Sequence, residues 1–295
     1  MPFLLVRRGA VRVFQFWFAV LLLGLFARSA RAAGIPDKLV VLTFDDSVAS
    51  LHTHVRPLLK QHGFNATFFI TEGFSFTNNK VDYMTWEQIA ELHRDGFEIG
   101  NHTRSHMGVS ADTLGRLRGE VEFINQRCAE HGIPRPVSFG YPGNAIHPAA
   151  LPLLRELGFR YARRGAQPEY AYETGRGIPF EPGQDHLLLI PTTGDARPTW
   201  SLDNLKAAVT QAHDGKIAVL QFHGVPDREH PWVNTPLERF REYLDWMKSH
   251  GYRGIALRDL APYVQNAPVP TEPWAIIERR QAAIRAAAKP DSGAK

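Results

Sequence analysis

Cysteine is almost absent: Cys128 is the single one among 295 residues. No intramolecular disulfide can form, so the fold must rest on an apolar core rather than on covalent staples. Cys128 continues a helical repeat of apolar positions (Leu114, Leu117, Val121, Ile124), which reads as packing rather than nucleophilic chemistry. No apolar run reaches the roughly 20 residues that a spanning helix needs. The 24 glycines and 21 prolines follow no period, which excludes collagen-like arrays. Acidic residues are missing from the first 32 positions, which hold Arg7, Arg8, Arg12, Arg28 and Arg31. The formal net charge is +4, yet without those five arginines 29 basic residues face 30 acidic ones. The basic balance therefore belongs to the N-terminal stretch, and no nucleic-acid partner is expected.

That stretch has the order of a secretory signal. Arg7, Arg8 and Arg12 precede an apolar run from Val13 to Phe26, and Ala30-Arg31-Ala32 supplies a small-x-small cleavage site. Residues 1–32 are expected to be a signal peptide, cut after Ala32, with the protein secreted or periplasmic. No stable membrane span then remains; an uncleaved N-terminal anchor is the alternative.

What is present is ordinary globular material, 44% hydrophobic and 22% charged. Short apolar runs alternate with amphipathic stretches from residue 35 to 263. Strands are expected at Lys38–Phe44, Ala66–Ile70, Phe97–Gly100, Val137–Tyr141, Tyr161–Arg163, Leu187–Ile190, Ile217–Phe222 and Tyr252–Ala256. Helices are expected at Val48–Gln61, Trp86–Asp95, Ala111–His131, Pro148–Leu157, Leu202–His213 and Pro236–His250, with Thr85 and Ser201 as N-caps. Seven or eight strands, most followed by a helix, predict an α/β fold, a distorted (β/α) barrel in one domain over 33–263. An open doubly wound sheet is the alternative. Pro268, Pro270 and Pro273 punctuate a linker in 264–295, followed by a helix over Trp274–Ala288 that rests on the domain or forms a flexible end.

Polar residues cluster just after the apolar strands, where a barrel places functional groups. Asp45 and Asp46 end the first run; a helix cap is one reading of them, a charged site the other. His102 and His106 follow the third run. Placed four apart on one helical turn, they would face the same way and grip one metal ion, which a carboxylate from another strand end would complete. His223 ends the Ala218–Phe222 run, either as a hydrogen-bonded strand cap or as an acid. Phe139-Gly140-Tyr141-Pro142-Gly143-Asn144 runs into a turn.

In this order the segments resemble the NodB-homology polysaccharide deacetylases, from about Lys38 to Tyr263. Thr43-Phe44-Asp45-Asp46-Ser47 is similar to the first motif of that family, His102-Thr103-Arg104-Ser105-His106 to the second and Leu220-Gln221-Phe222-His223 to the last. Ala66-Thr67-Phe68-Phe69-Ile70 is similar to the family's second strand. The resemblance implies that Asp45 is the catalytic base and His223 the acid. It implies that Asp46, His102 and His106 bind a divalent metal, zinc first, with cobalt or nickel as alternatives. It also implies that Leu220 lines an acetyl pocket and that the N–H of Tyr141 assists the oxyanion. The implied reaction is hydrolysis of N-acetyl groups on an extracellular or cell-wall glycan.

Two positions depart from the family pattern. Gly140 stands where an arginine partners the catalytic Asp, and Asp195 with Trp200 only loosely fits the motif that tunes the acid histidine. Arg163 or Arg164 is a candidate to supply the guanidinium; without one, Asp45 is unpaired and titrates higher. Tyr83, Trp86, Tyr141 and Trp232 are candidates for stacking on a sugar. A metal-dependent amidohydrolase acting on a small non-sugar C–N bond and a catalytically silent glycan-binding domain stay open as alternatives.

Overall fold

The computed structural model describes residues 34–288. The expected signal peptide lies outside them. The chain forms strands β1 (Leu39–Phe44), β2 (Thr67–Ile70), β3 (Glu98–Asn101), β4 (Ser138–Gly140), β5 (Tyr161–Arg163), β6 (Gly194–Asp195), β7 (Ala218–Phe222) and β8 (Arg253–Ile255). Between and after them run helices α1 (Arg56–His62), α2 (Trp86–Arg94), α3 (Leu114–Glu130), α4 (Ala150–Glu156), α5 (Leu202–Val209), α6 (Leu237–Ser249), α7 (Ala261–Val264) and α8 (Pro273–Ala287).

All strand pairs are parallel, in the order β5-β4-β3-β2-β1-β7-β6. β8 shares one edge of β1 with β2: it pairs Leu39–Val41, while β2 pairs Thr43 and Phe44. One segment touches both ends of this curled sheet. Ile190 bridges Arg163 of β5, and four residues later Gly194 and Asp195 pair with β7. The expected strand at Leu187–Ile190 is reduced to that single bridge, because Pro191 has no N–H to continue a ladder. The result is the distorted (β/α) barrel, closed by an irregular seam.

Alternation along the strands sorts the core. Leu39, Val41, Phe69, Tyr161, Ile190, Ile217 and Val219 fill the inside of the ring. The opposite parity (Val40, Leu42, Phe44, Phe68, Leu220, Phe222) packs against Leu59, Ile89, Phe240 and Leu244 of the helices. Phe44 stacks between Phe68 and Phe222 at 5.1 and 5.3 Å, and Phe240 closes the group edge-on. This aromatic row fixes the ends of β1, β2 and β7 immediately below the polar mouth.

Thr85 and Ser201 cap α2 and α5 in reciprocal boxes with Gln88 and Asn204, as their spacing predicts. The expected helix from Val48 splits into a π-helical turn (Leu51–Val55) and α1. Cys128 is buried in α3, and burial pushes its thiol up to about 12. In the tail, α8 lies against the body: Ile277 is buried beside Leu154 and Leu188, and Arg280 pairs with Asp185. No helix among the described residues is long and apolar enough to cross a membrane.

Candidate active site

β1 stops abruptly. Asp45 still donates its N–H to Phe222 O, but Asp46 and Ser47 take positive φ values of 71° and 59°. Aspartate tolerates that region better than most residues. The turn separates the two carboxylates, which a continuing strand would only have put on opposite faces.

Asp45 is buried at the mouth of the ring. Arg163 Nη2 donates to its Oδ1 and Oδ2 at 2.9 and 2.7 Å, and Gln221 Nε2 donates to Oδ2 at 3.1 Å. An unpaired Asp45 is therefore ruled out. The guanidinium arrives from β5 because Gly140 cannot carry it: a Cβ there would meet the Phe69 ring at 2.8 Å and His102 Nδ1 at 3.0 Å. Gly140 and Arg163 are register partners across β4 and β5, so the arginine enters at the same level from the next strand. Arg164, of opposite parity, turns away to a buried pair with Glu169.

Asp46, His102 and His106 converge, with Asp46 Oδ1 at 3.4 Å from His102 Nε2 and 3.3 Å from His106 Nε2. The histidines do not share a helical turn. They sit on a loop after β3 in which Thr103 and His106 have positive φ, so it is a turn rather than a helix that brings the rings to 5.0 Å. Gly73, Thr71 and Gly140 build the cradle. Thr71 Oγ1 accepts the N–H of His106, and a side chain at Gly73 would strike His106. His102 Nδ1 lies 2.7 Å from Gly140 O; a carbonyl can only accept, so Nδ1 carries a proton and fixes the ring with Nε2 facing Asp46. Asp46 Oδ1 and His102 Nε2 are both buried without a hydrogen-bond partner. A carboxylate oxygen and an imidazole nitrogen that are buried, face each other and have no hydrogen-bond partner fit a bound cation, and the N₂O donor set suits a divalent transition metal. Burial pushes the Asp46 carboxyl up, but the two histidines and the charge of His223 outweigh it and hold it well below the usual value.

His223 Nε2 stands 3.8 Å from Asp45 Oδ2 and 3.9 Å from Asp46 Oδ2, so Asp45, Asp46, His102, His106 and His223 share one cleft of about 190 Å³. Behind it, His223 Nδ1 and Asp195 Oδ1 are both buried without partners. Burial raises the Asp195 carboxyl, while the charges of His223, Arg197 and Arg163 pull it back in part. Trp200 does not reach the cleft; it is buried against Tyr243.

Two expected substrate contacts are elsewhere. Tyr141 is buried, its N–H donates to Arg163 O and its hydroxyl to Leu188 O. The turn residue that borders the cleft is Gly143, whose N–H donates to no group among the described residues. Leu220 has helix-facing parity and belongs to the outer core, so Gln221 borders the cleft in its place. Of the stacking candidates, Tyr83 and Trp86 are buried and only Trp232 is exposed at the rim. Sequence reasoning missed Gln221, although a glutamine at an inward position of Ala218-Val219-Leu220-Gln221-Phe222 must find hydrogen-bond partners. It also missed Phe74, Tyr172 and His230, which no motif marks.

Residues 33–162 match the family model for polysaccharide deacetylase. A peptidoglycan-N-acetylglucosamine deacetylase of Bacillus cereus is 30% identical over 125 residues, covering 42% of this chain and 55% of that protein. The chain thus spans about half the length of that curated relative. Among solved structures, Bacillus subtilis PdaA, a family 4 carbohydrate esterase, aligns with a TM-score of 0.50 at 20% identity, covering 76% of this chain and 80% of that one. A family 4 acetyl xylan esterase from Clostridium thermocellum, in complex with a cobalt ion, gives a TM-score of 0.51 at 21% identity, covering 79% and 99%. The matched segment, less than half of the chain, is similar to the polysaccharide deacetylase family, and both structures share the fold of this chain. The match ends just before Arg163 and well before His223, which the fold returns to the same cleft.

Proposed function

We propose that the protein is a metal-dependent hydrolase that removes N-acetyl groups from an extracellular or cell-wall polysaccharide. The observation that carries this reading is the convergence of Asp45, Asp46, His102, His106 and His223 in one cleft, with Asp45 clamped by Arg163 and Gln221. Asp46, His102 and His106 would hold the ion, zinc first, with cobalt or nickel fitting the same donors. When bound, the ion supplies Lewis acidity toward the acyl carbonyl and lowers the pKa of water.

Asp45 takes the proton from the attacking water, and Arg163 and Gln221 keep its carboxylate aimed. The Gly143 N–H is the backbone donor available to the developing oxyanion. His223 Nε2 delivers a proton to the leaving amine nitrogen as the C–N bond breaks, leaving acetate and a free amino sugar. The small non-sugar amide reading drew on a missing arginine, and Arg163 supplies that group. A silent glycan-binding domain has no use for a buried carboxylate oxygen and a buried imidazole nitrogen that face each other without hydrogen-bond partners.

The test is amine release from an N-acetylglucosamine pentamer. Metal-loaded protein is expected to release it, chelated protein is not, and re-addition of zinc or cobalt restores it. A loaded protein that liberates no amine from N-acetylated glycans would reject the reading. Export through the N-terminal signal brings the enzyme to such polymers, and terminal sequencing of exported protein should begin at Ala33; a start at Met1 rejects cleavage.

A further inference from the structure

A second cleft lies away from the candidate active site and shares no residue with it. It opens where β5 begins, at the end of the barrel opposite the polar mouth. One wall is α4 and the approach to β5, with Leu151, Phe159 and Tyr161; the other is the strap that joins α7 to α8, with Val269 and Pro270. The cleft holds about 890 Å³, within the range of about 300–1,000 Å³ common for small-molecule sites. Its walls are mostly apolar, yet they carry two guanidiniums, those of Arg155 and Arg160, and no carboxylate.

His186 is buried beside Arg155, and its tautomer is fixed by the backbone. Nδ1 accepts the N–H of Leu188 at 3.0 Å, so that nitrogen carries no proton. Burial, and then the charge of Arg155, push the imidazole below its usual pKa, which keeps the ring neutral. Its one proton is therefore on Nε2, which stands 3.4 Å from Arg155 Nη2. An imidazole N–H facing a guanidinium N–H makes two donors side by side with no acceptor between them. Buried donors call for an acceptor, and a charged donor beside one favours an anionic acceptor.

We propose that this cleft binds an amphipathic carboxylate of the fatty-acid type, its head on His186 Nε2 and the Arg155 guanidinium and its chain along Phe159, Leu187 and the strap. The inference goes beyond the deacetylase reading and does not depend on it. A carboxylate offers one oxygen to each donor, and Arg160 adds a second positive charge to the wall. A bare inorganic anion would leave the apolar walls in water, and a neutral sugar would leave the guanidiniums without a counter-charge.

Titration calorimetry of the metal-loaded protein with fatty carboxylates, below their micelle concentrations, tests this. Affinity should rise at least about tenfold from hexanoate to decanoate as methylenes are buried. Without the charge, 1-decanol should bind about tenfold more weakly than decanoate. Arg155 and Val269 are exposed, so Arg155→Gln and Val269→Asp should fold and should each weaken decanoate about fivefold or more. Arg155→Gln should leave 1-decanol within about twofold, since it removes the charge and not the apolar wall. His186→Phe removes the N–H while keeping a ring and should act as Arg155→Gln does; if it fails to fold, the two exposed variants decide. Decanoate that binds no tighter than hexanoate or 1-decanol, or that binds Arg155→Gln and Val269→Asp as it binds wild type, overturns the site. Competition between decanoate and the N-acetylglucosamine pentamer for amine release would put the carboxylate in the other cleft and overturns it too. A protein that binds decanoate in the expected pattern but releases no amine keeps this site and loses the deacetylase reading.

Discussion

Two buried carboxylates sit near opposite ends of the same barrel. Glu98 opens β3 at the bottom, where Thr67 Oγ1 and Ser138 Oγ donate to it at 2.6 Å each and Arg258 N at 2.9 Å. Asp46 follows β1 at the mouth, where its Oδ1 has no donor and faces two histidine nitrogens. Burial pushes both carboxyls up. At Glu98 the donors reverse this only in part, so it stays raised, whereas at Asp46 the histidines prevail. Burial of a carboxylate is therefore no sign of function. What separates the two is whether the folded chain itself supplies the missing partners.

The comparison breaks most visibly at the mouth. Asp45→Asn should keep the metal and lower kcat by roughly 10²–10⁴, the usual share of a general base. Asp46→Asn should lose metal, with partial recovery of activity in excess zinc. Metal content beside turnover decides it, and metal loss in Asp45→Asn but not in Asp46→Asn would reverse the two roles.

At the bottom the expectation inverts. Glu98→Ala strands two buried hydroxyls and should cost on the order of 3 kcal/mol of stability. Folded Glu98→Ala protein should still bind one metal with wild-type affinity. A denaturant titration paired with metal analysis checks this, and lost metal with intact stability would mean that Glu98 belongs to the site.

The smallest effect concerns His230, the buried histidine that borders the candidate active site. Burial pushes the His230 imidazole down, but the hydrogen bond and charge of Asp227, with Asp46 and Glu229 beyond, raise it above the usual value. A group raised on folding contributes stability that is full below its unfolded pKa of about 6.5 and lost as pH rises through the folded value. In metal-free protein the Tm gap between wild type and His230→Gln should be wider near about pH 5.5 than near about pH 9, by a few degrees at about 2–4 °C per kcal/mol. A gap independent of pH would show that His230 acts through packing alone.

The sequence displayed the barrel, its strand ends and the five polar residues because each is a local signal: an apolar run followed at once by Asp or His. Side-chain direction was harder to read. Leu220 and Gln221, or Arg163 and Arg164, differ by one residue, and a one-residue step reverses the face. Tyr141 was misplaced for a different reason, since its N–H was already engaged in the sheet. The His102–His106 spacing suggested a helical turn, but three left-handed residues (Asp46, Thr103, His106) place these side chains, and no periodicity announces those. The Leu187–Ile190 strand failed at Pro191, a local signal that hydrophobic patterning alone had outvoted.

The seam at Pro191 gives Asp45 a second task. β5 and β7 never pair directly; only the bridge at Ile190 and the short β6 lie between them. Asp45 belongs to the end of β1, yet its carboxylate is gripped by Arg163 from β5 and Gln221 from β7. One negative charge thus acts as a keystone, locking three staves of the ring at the level where the backbone ladder gives out. On the proposed mechanism that same carboxylate takes up a proton in every cycle, which weakens its hold on the guanidinium. The rim is therefore tightest when the enzyme is poised to react and slackest just after the bond has broken, when the shortened glycan side group has to leave.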